Sequence, residues 1–122
     1  MRRFPILIAA AATLTFAGTA YAHPKLLSAS PAANATVAKP VHIELHFSEK
    51  LMPAFSKAEL IMAAMPGMAA MKMPSVAKLG PDGRSLIITP NSSLPRGRYS
   101  VAWQVVSTDT HKVAGSYAFA VK

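Results

Sequence analysis

The chain has 122 residues, with 13 lysines and arginines against 5 acidic residues, a formal net charge of +8 and no cysteine. This length allows one globular domain, and the lack of cysteine excludes disulfides, thiolate zinc sites and cysteine nucleophiles. Beyond residue 22 the basic residues are scattered singly without interleaved aromatics, which argues against nucleic-acid binding.

Residues 1–22 have the pattern of a secretory signal peptide. Two arginines precede a largely apolar stretch at 4–17, and an A-x-A cleavage signal follows at 20–22. The apolar stretch is shorter than the roughly 20 residues of a membrane span. We therefore expect cleavage after position 22, export to a bacterial periplasm and no stable membrane insertion; an uncleaved anchor is the alternative. The remaining domain, 23–122, keeps a net charge of +6.

Strand-like patterns cover most of residues 23–122. At 41–47 apolar residues alternate with polar ones at a period of two, and proline- and glycine-rich turn signals separate the patterns. In chain order the candidate strands are 25–30, 41–47, 58–62, 75–79, 85–89, 99–106 and 116–121. Seven short strands at regular spacing predict an all-β fold, either an antiparallel β-sandwich or a small Greek-key β-barrel.

One segment between the third and fourth candidate strands is rich in methionine. It contains five of the seven methionines of the chain: Met62, Met65, Met68, Met71 and Met73. Spacing by three would place such side chains on one face of a helix, as a buried apolar stripe. The Pro66-Gly67 pair disfavours a helix, because proline removes a helical hydrogen bond and glycine adds backbone freedom. The segment is therefore predicted to be a turn or loop.

A loop with five thioethers has a definite metal preference. Thioether sulfur is soft and uncharged, and it prefers Cu(I) to Zn(II), Mg(II) or Cu(II). Alanine is the main spacer, so hard oxygen ligands are few. The loop therefore predicts a Cu(I) or Ag(I) site; core packing or a hydrophobic partner surface is the alternative.

Cleavage after position 22 would make His23 the first residue. Its α-amino nitrogen and ring Nδ1 can then bind one metal ion in a six-membered chelate ring. Pro24 follows, and proline has no amide N–H that could deprotonate and displace the ring. The pair therefore favours an amine-plus-imidazole chelate suited to Cu(II).

Such a chelate needs further ligands, and Asp109-Thr110-His111 is the best local group. In an extended segment residues i and i+2 point the same way, so the carboxylate and the imidazole could converge on one ion. Taken alone, these residues could equally be a turn carboxylate and a surface histidine. Glu49, at the expected end of a strand, is by itself an ordinary loop carboxylate.

His42, Glu44 and His46 form a competing group on the polar face of one strand. Four residues at about 3.3 Å each would separate the two histidines by about 13 Å. We therefore interpret this group as a solvated strand face that does not bind one ion jointly.

Together these motifs resemble the CopC family of periplasmic copper-binding proteins of bacterial copper-resistance systems. The resemblance rests on His-Pro at the processed start, "HFSE" at 46–49, "M-x-x-M-P-G-M" at 62–68 and "S-T-D-T-H" at 107–111, and it covers the whole mature domain. It implies a seven-stranded, cupredoxin-like or Ig-like Greek-key β-barrel with two copper sites at opposite ends.

The resemblance also implies the ligands. The Cu(II) site would use His23, Asp109 and His111, with Glu49 as the fourth ligand. The sequence itself leaves His46 or water open in that fourth place. The Cu(I) site would draw on the five methionines of residues 62–73. Related loops often carry a histidine two residues after the third methionine; this chain has Ala70 there and Met71 next, which favours an all-thioether site.

The function expected from the sequence is a periplasmic copper carrier that is not an enzyme. It would hold up to one Cu(II) and one Cu(I). The resemblance further implies that it exchanges copper with other copper-resistance proteins, for example a CopD-type inner-membrane transporter. One alternative is a histidine-brace copper monooxygenase, disfavoured by the carboxylates Asp109 and Glu49 and by the lack of a flat aromatic surface. The other is a metal-free β-sandwich for adhesion or assembly.

Overall fold

The computed structural model describes residues 23–122, which form two packed β-sheets. The predicted signal peptide and its cleavage position lie outside the described residues. The elements in chain order are β1 (Leu26–Ser30), β2 (Thr36–Val37), β3 (Ile43–Phe47), a short 3₁₀ turn (Pro53–Phe55), β4 (Lys57–Met62), β5 (Met71–Met73), β6 (Ser75–Leu79), β7 (Ser85–Pro90), β8 (Gly97–Val106) and β9 (Lys112–Val121).

The first sheet has four strands in the order β1-β3-β7-β6, and the second has five in the order β2-β9-β8-β4-β5. The long β8–β9 hairpin is the centre of the second sheet, with Gly97 opposite Val121 at one end and Val106 opposite Lys112 at the other. Every pairing of named strands is antiparallel except β2 with β9, which is parallel.

The all-β prediction is confirmed, and each of the seven predicted strands is present. The two sheets form an open sandwich, so the sandwich form of the prediction is observed and the barrel is not closed. Two short strands were not predicted: β2 has two residues and β5 has three. Strands this short carry no readable alternation, and they exist because each pairs with the edge of a longer neighbour.

The core lies between the inner faces of the sheets. Ile43, Leu45 and Phe47 of β3 are buried on one side, and alternate residues of β8, such as Val101 and Val105, are buried on the other. This is the inward half of the period-two pattern that the sequence displays. Within residues 23–122 no helix is both long and apolar enough to cross a membrane.

Candidate functional site

The amino-terminal segment is fastened to the sandwich immediately after His23. Pro24 is fully buried, and both backbone groups of Lys25 are bonded to Ser48, its N–H to the Ser48 Oγ and its C=O to the Ser48 N–H, each at 2.9 Å. His23 itself is exposed. The burial of Pro24 therefore holds an exposed histidine at one end of the domain.

The β8–β9 connection brings its own polar side chains to the same end. The Ser107 N–H bonds the His111 C=O at 2.9 Å, and the Thr110 N–H bonds the Ser107 C=O at 2.8 Å. Thr110 has a φ of +74°, in the left-handed region. The prediction of an extended Asp109–His111 segment is therefore wrong: the chain reverses here in a tight turn, because β8 and β9 are adjacent antiparallel strands.

The turn nevertheless places Asp109 and His111 together. The His111 Nδ1 lies 3.2 Å from the Asp109 Oδ2. The buried Ser107 hydroxyl donates a hydrogen bond to the other carboxylate oxygen, and this bond lowers the pKa of Asp109 below its usual value. At neutral pH the turn therefore presents a charged carboxylate beside an imidazole.

His23, at the start of the described domain, completes this group. Its ring lies against the His111 ring with centroids 4.5 Å apart and planes tilted by 51°. Two imidazoles and one carboxylate thus meet at one end of the sandwich. In the part of the chain from 23 to 122, no three imidazole or carboxylate groups are already arranged around one point for a metal ion, so binding here requires side-chain rotation.

Glu49 lies in a segment between the two parts of this group. On one side of it Ser48 is bonded to Lys25, and on the other the Lys50 C=O accepts from the Thr108 N–H at 3.0 Å. Glu49 is half-buried. Its backbone therefore lies between the segment that follows His23 and the Asp109 turn.

His46, the other candidate for a fourth ligand, is engaged elsewhere. Its Nδ1 lies 2.8 Å from the Ser85 Oγ, and its Nε2 lies 3.3 Å from the Glu44 carboxylate. The second oxygen of that carboxylate is 3.1 Å from the His42 Nε2. The two histidines thus both reach the glutamate between them, although their backbones are far apart.

The methionine segment is a hairpin extension of β4 and β5. Met65 and Met68 exchange two backbone hydrogen bonds of 2.9 and 2.8 Å around Pro66 and Gly67. Gly67 has a φ of +80°, as expected for glycine after proline in a type II turn. The predicted turn is confirmed, and the helical alternative is excluded.

The methionines of this hairpin differ in exposure. Met62 is 4% exposed and belongs to the core, and Met65 and Met73 pack against it. Met68 and Met71 are 47% and 46% exposed. Two thioethers of the five are thus open to solvent, while the other three are buried in the core or packed against it.

Gly97 adjoins two of these three less exposed methionines, and the sequence did not single it out. A Cβ at this position would lie 3.1 Å from the Met62 Cε and 3.8 Å from the Met65 Sδ. The close approach brings the ends of these two side chains to the same point. The role of Ser107, whose hydroxyl bonds Asp109, was also not predicted. Gly97 and Ser107 are small residues whose roles depend on tertiary contacts, which the local sequence does not display.

The two groups lie at opposite ends of β8. Met62 pairs with Tyr99 near the start of this strand, and the Asp109 turn follows its last residue, Val106. Ten residues of extended strand span about 30 Å. The nitrogen and oxygen donors are therefore well separated from the sulfur donors.

Comparisons with known proteins agree with this architecture. A family model described as the CopC domain matches residues 26–122. Copper resistance protein C of Xanthomonas campestris pv. juglandis is 51% identical over 118 residues, which are 95% of this chain and 92% of that protein.

Two solved structures are also similar. PcoC, a methionine-rich copper resistance protein from Escherichia coli, has a TM-score of 0.77 and 44% identity, with 83% of this chain and 100% of that chain covered. CopC from Methylosinus trichosporium OB3b has a TM-score of 0.71 and 31% identity, with 82% and 94% covered. The chain belongs to the CopC family.

Proposed function

We propose that this protein is a periplasmic copper carrier that takes part in copper resistance and holds Cu(II) and Cu(I) at separate sites. The observation that carries the proposal is the convergence of His23, Asp109 and His111 at one end of the domain, about 30 Å from the methionine hairpin. The copper resistance proteins it resembles support the same assignment.

The Cu(II) ligands would be the amine and ring of His23, the ring of His111 and the Asp109 carboxylate, with Glu49 as the fourth residue. Imidazole and carboxylate suit Cu(II). Because Ser107 keeps the Asp109 carboxyl deprotonated, protons compete weakly with the ion at that ligand. The proposed activity is the binding and transfer of copper ions, without catalysis.

The Cu(I) ligands would come from the methionine hairpin. Met68 and Met71 are exposed enough to capture an ion, and Met62, Met65 and Met73 would supply thioethers from the core side of the hairpin. Sulfur donors favour Cu(I), and nitrogen and oxygen donors favour Cu(II). If an external oxidant or reductant changes the oxidation state of the bound ion, its site would hold the ion less tightly. Transfer to another molecule or to a partner, such as a CopD-type transporter, would then be favoured.

The free amine of His23 gives the sharpest test. Two proteins are compared, one beginning at His23 and one with a single alanine before it, so that every native side chain is kept. Cu(II) affinity is measured against a competing chelator, with paramagnetic resonance spectra. We expect the extension to weaken binding at least tenfold and to change the spectrum; equal affinities would refute the site.

The methionine site is tested separately on Cu(I)-loaded protein. X-ray absorption at the copper edge should show sulfur neighbours, and loading with both oxidation states should give two ions per chain. Nitrogen and oxygen neighbours only, or a maximum of one ion, would refute the two-site arrangement.

A further inference from the structure

A second group of metal-type side chains, outside the sites above, lies on the outer face of β3 and on the residue that precedes this strand. Glu44 is in contact with two histidines: its Oε1 lies 3.1 Å from the His42 Nε2 and its Oε2 lies 3.3 Å from the His46 Nε2. The side chains of His42, Glu44 and His46 are 49%, 33% and 41% exposed. The group is therefore accessible to an ion from solvent.

The His46 ring is held from behind by a hydrogen-bonded chain. The Ser85 hydroxyl donates to the Asp82 Oδ2 at 2.8 Å, and the Asp82 Oδ1 accepts from the Ser85 N–H at 3.0 Å. Because the only hydroxyl proton of Ser85 goes to Asp82, the contact of 2.8 Å between its Oγ and the His46 Nδ1 requires the ring to donate. Nδ1 therefore carries the proton.

This tautomer leaves the opposite ring nitrogen in an unfavourable position. In a neutral ring protonated at Nδ1, Nε2 carries a lone pair, and here it faces a carboxylate oxygen at 3.3 Å. Two electron-rich atoms at this distance need a positive charge between them. That charge is either a second proton on the ring or a metal ion.

Two features match a metal ion. A histidine that binds metal usually donates its other ring N–H to a fixed acceptor, which Ser85 provides for His46. Bonds of 2.0–2.1 Å to a tetrahedral zinc ion separate neighbouring nitrogen and oxygen ligands by about 3.3 Å. The contact of Glu44 with the His46 ring has this length.

We propose that Glu44 and His46, joined by His42, bind one divalent ion of the Zn(II) or Cu(II) class at a surface site distinct from the His23 site. The rings contact opposite oxygens of Glu44, and residues 23–122 hold no preassembled three-ligand group. The ion therefore binds first between His46 and Glu44, and the exposed His42 rotates to join it.

Zn(II) is a suitable probe because it is diamagnetic and the chain has four histidines, whose ring nitrogens can be followed individually by ¹⁵N NMR. On titration with Zn(II), the Nε2 signals of His42 and His46 should shift together while the His46 Nδ1–H is retained. His46→Gln should weaken this binding at least tenfold, and His42→Gln less.

Two further variants separate this site from its surroundings. Ser85→Ala removes no ligand but should weaken Zn(II) binding about tenfold or more, as loss of such supporting bonds does. His111→Gln, which alters only the other site, should leave the His42 and His46 shifts unchanged. If Zn(II) does not move these two signals, or if His46→Gln leaves the affinity unchanged, a proton alone bridges His46 and Glu44 and the proposal is wrong.

Discussion

The His23 ring lies 4.5 Å from the His111 ring, although one residue opens the described domain and the other follows its penultimate long strand. The contact exists because Pro24 is fully buried and Lys25 is bonded to Ser48 on both of its backbone groups. The amino terminus is thus held beside the Asp109 turn before any metal arrives, which reduces the ordering that binding would require.

Replacing Pro24 tests the role of its missing amide proton. In Pro24→Ala, the new peptide nitrogen can deprotonate and bind Cu(II) as the pH rises. We expect the paramagnetic resonance spectrum of this variant to change with increasing pH toward additional nitrogen ligation, whereas the parent spectrum keeps its ligand set. Pro53→Ala, at an exposed proline, is the control, and matching spectra for all three proteins would contradict the argument.

Removing the Asp109 charge should weaken Cu(II) binding. Asp109→Asn keeps the size of the side chain but loses the anionic oxygen beside His111. We expect at least a tenfold loss of affinity, or about 1.4 kcal/mol, measured by competition with a chelator. Glu59→Gln alters an exposed carboxylate paired with Lys72, and it should have no effect; an equal loss in both variants would point to net charge instead.

The methionines should divide into structural and accessible ones. Met68→Leu and Met71→Leu keep apolar volume at exposed positions, so Cu(I) affinity should fall while the free energy of unfolding changes by less than about 0.5 kcal/mol. Met62→Ala empties a core position and should cost about 2–5 kcal/mol.

Urea unfolding and Cu(I) competition titrations measure the two quantities. Met52→Leu, which alters a methionine outside the hairpin, is the matched control. If the Met68→Leu, Met71→Leu double variant keeps the Cu(I) affinity of the parent, these two exposed methionines are not Cu(I) ligands.

The sequence predicted what depends on local periodicity. The alternation at 41–47 predicts β3, and Pro66-Gly67 predicts the turn, because each signal lies within a few residues. The two-residue strand β2 has no such signal, since its backbone bonds depend on β9.

The sites depend more on tertiary structure. Asp109 and His111 meet through a tight turn and not through an extended strand, because Thr110 adopts a left-handed φ. The contact of His23 with His111 depends on how distant parts of the chain meet. The residue types made both histidines ligand candidates, but the family resemblance was needed to favour one shared site. The backbone separation estimated for His42 and His46 was no guide to their side chains, which both turn toward Glu44.

Trp103 and Gly115 face each other across β8 and β9, and the pair should tolerate no added methyl group. A Cβ at position 115 would overlap the Trp103 Cζ2. Gly115→Ala must therefore displace the indole, at a cost of about 1–3 kcal/mol. Trp103→Phe removes the clashing atoms. The free energy of unfolding lost by the double variant, Trp103→Phe with Gly115→Ala, should therefore be smaller than the sum of the losses in the two single variants. If urea unfolding shows that the free-energy losses of the two single variants simply add in the double variant, the clash does not exist.

Tyr117 should make the domain sensitive to alkaline pH. Burial raises the pKa of its hydroxyl to about 12, compared with about 10 in an unfolded chain. Between these values the unfolded chain releases the proton while the folded chain keeps it, so folding stability falls as the pH rises from about 10 to 12. At neutral pH this contribution is fully present.

Tyr117→Phe isolates the effect. Within residues 23–122 the Tyr117 hydroxyl is buried without a hydrogen-bond partner, so at pH 7 the variant should be as stable as the parent or more stable by about 1 kcal/mol. It should also lose less stability between pH 10 and 12. The stability of the Tyr117→Phe variant should still fall somewhat with rising pH, because burial also raises the pKa of Tyr99. Urea unfolding at pH 7, 10 and 11.5 provides the comparison, and parallel losses in both proteins would show that the Tyr117 proton does not control alkaline stability.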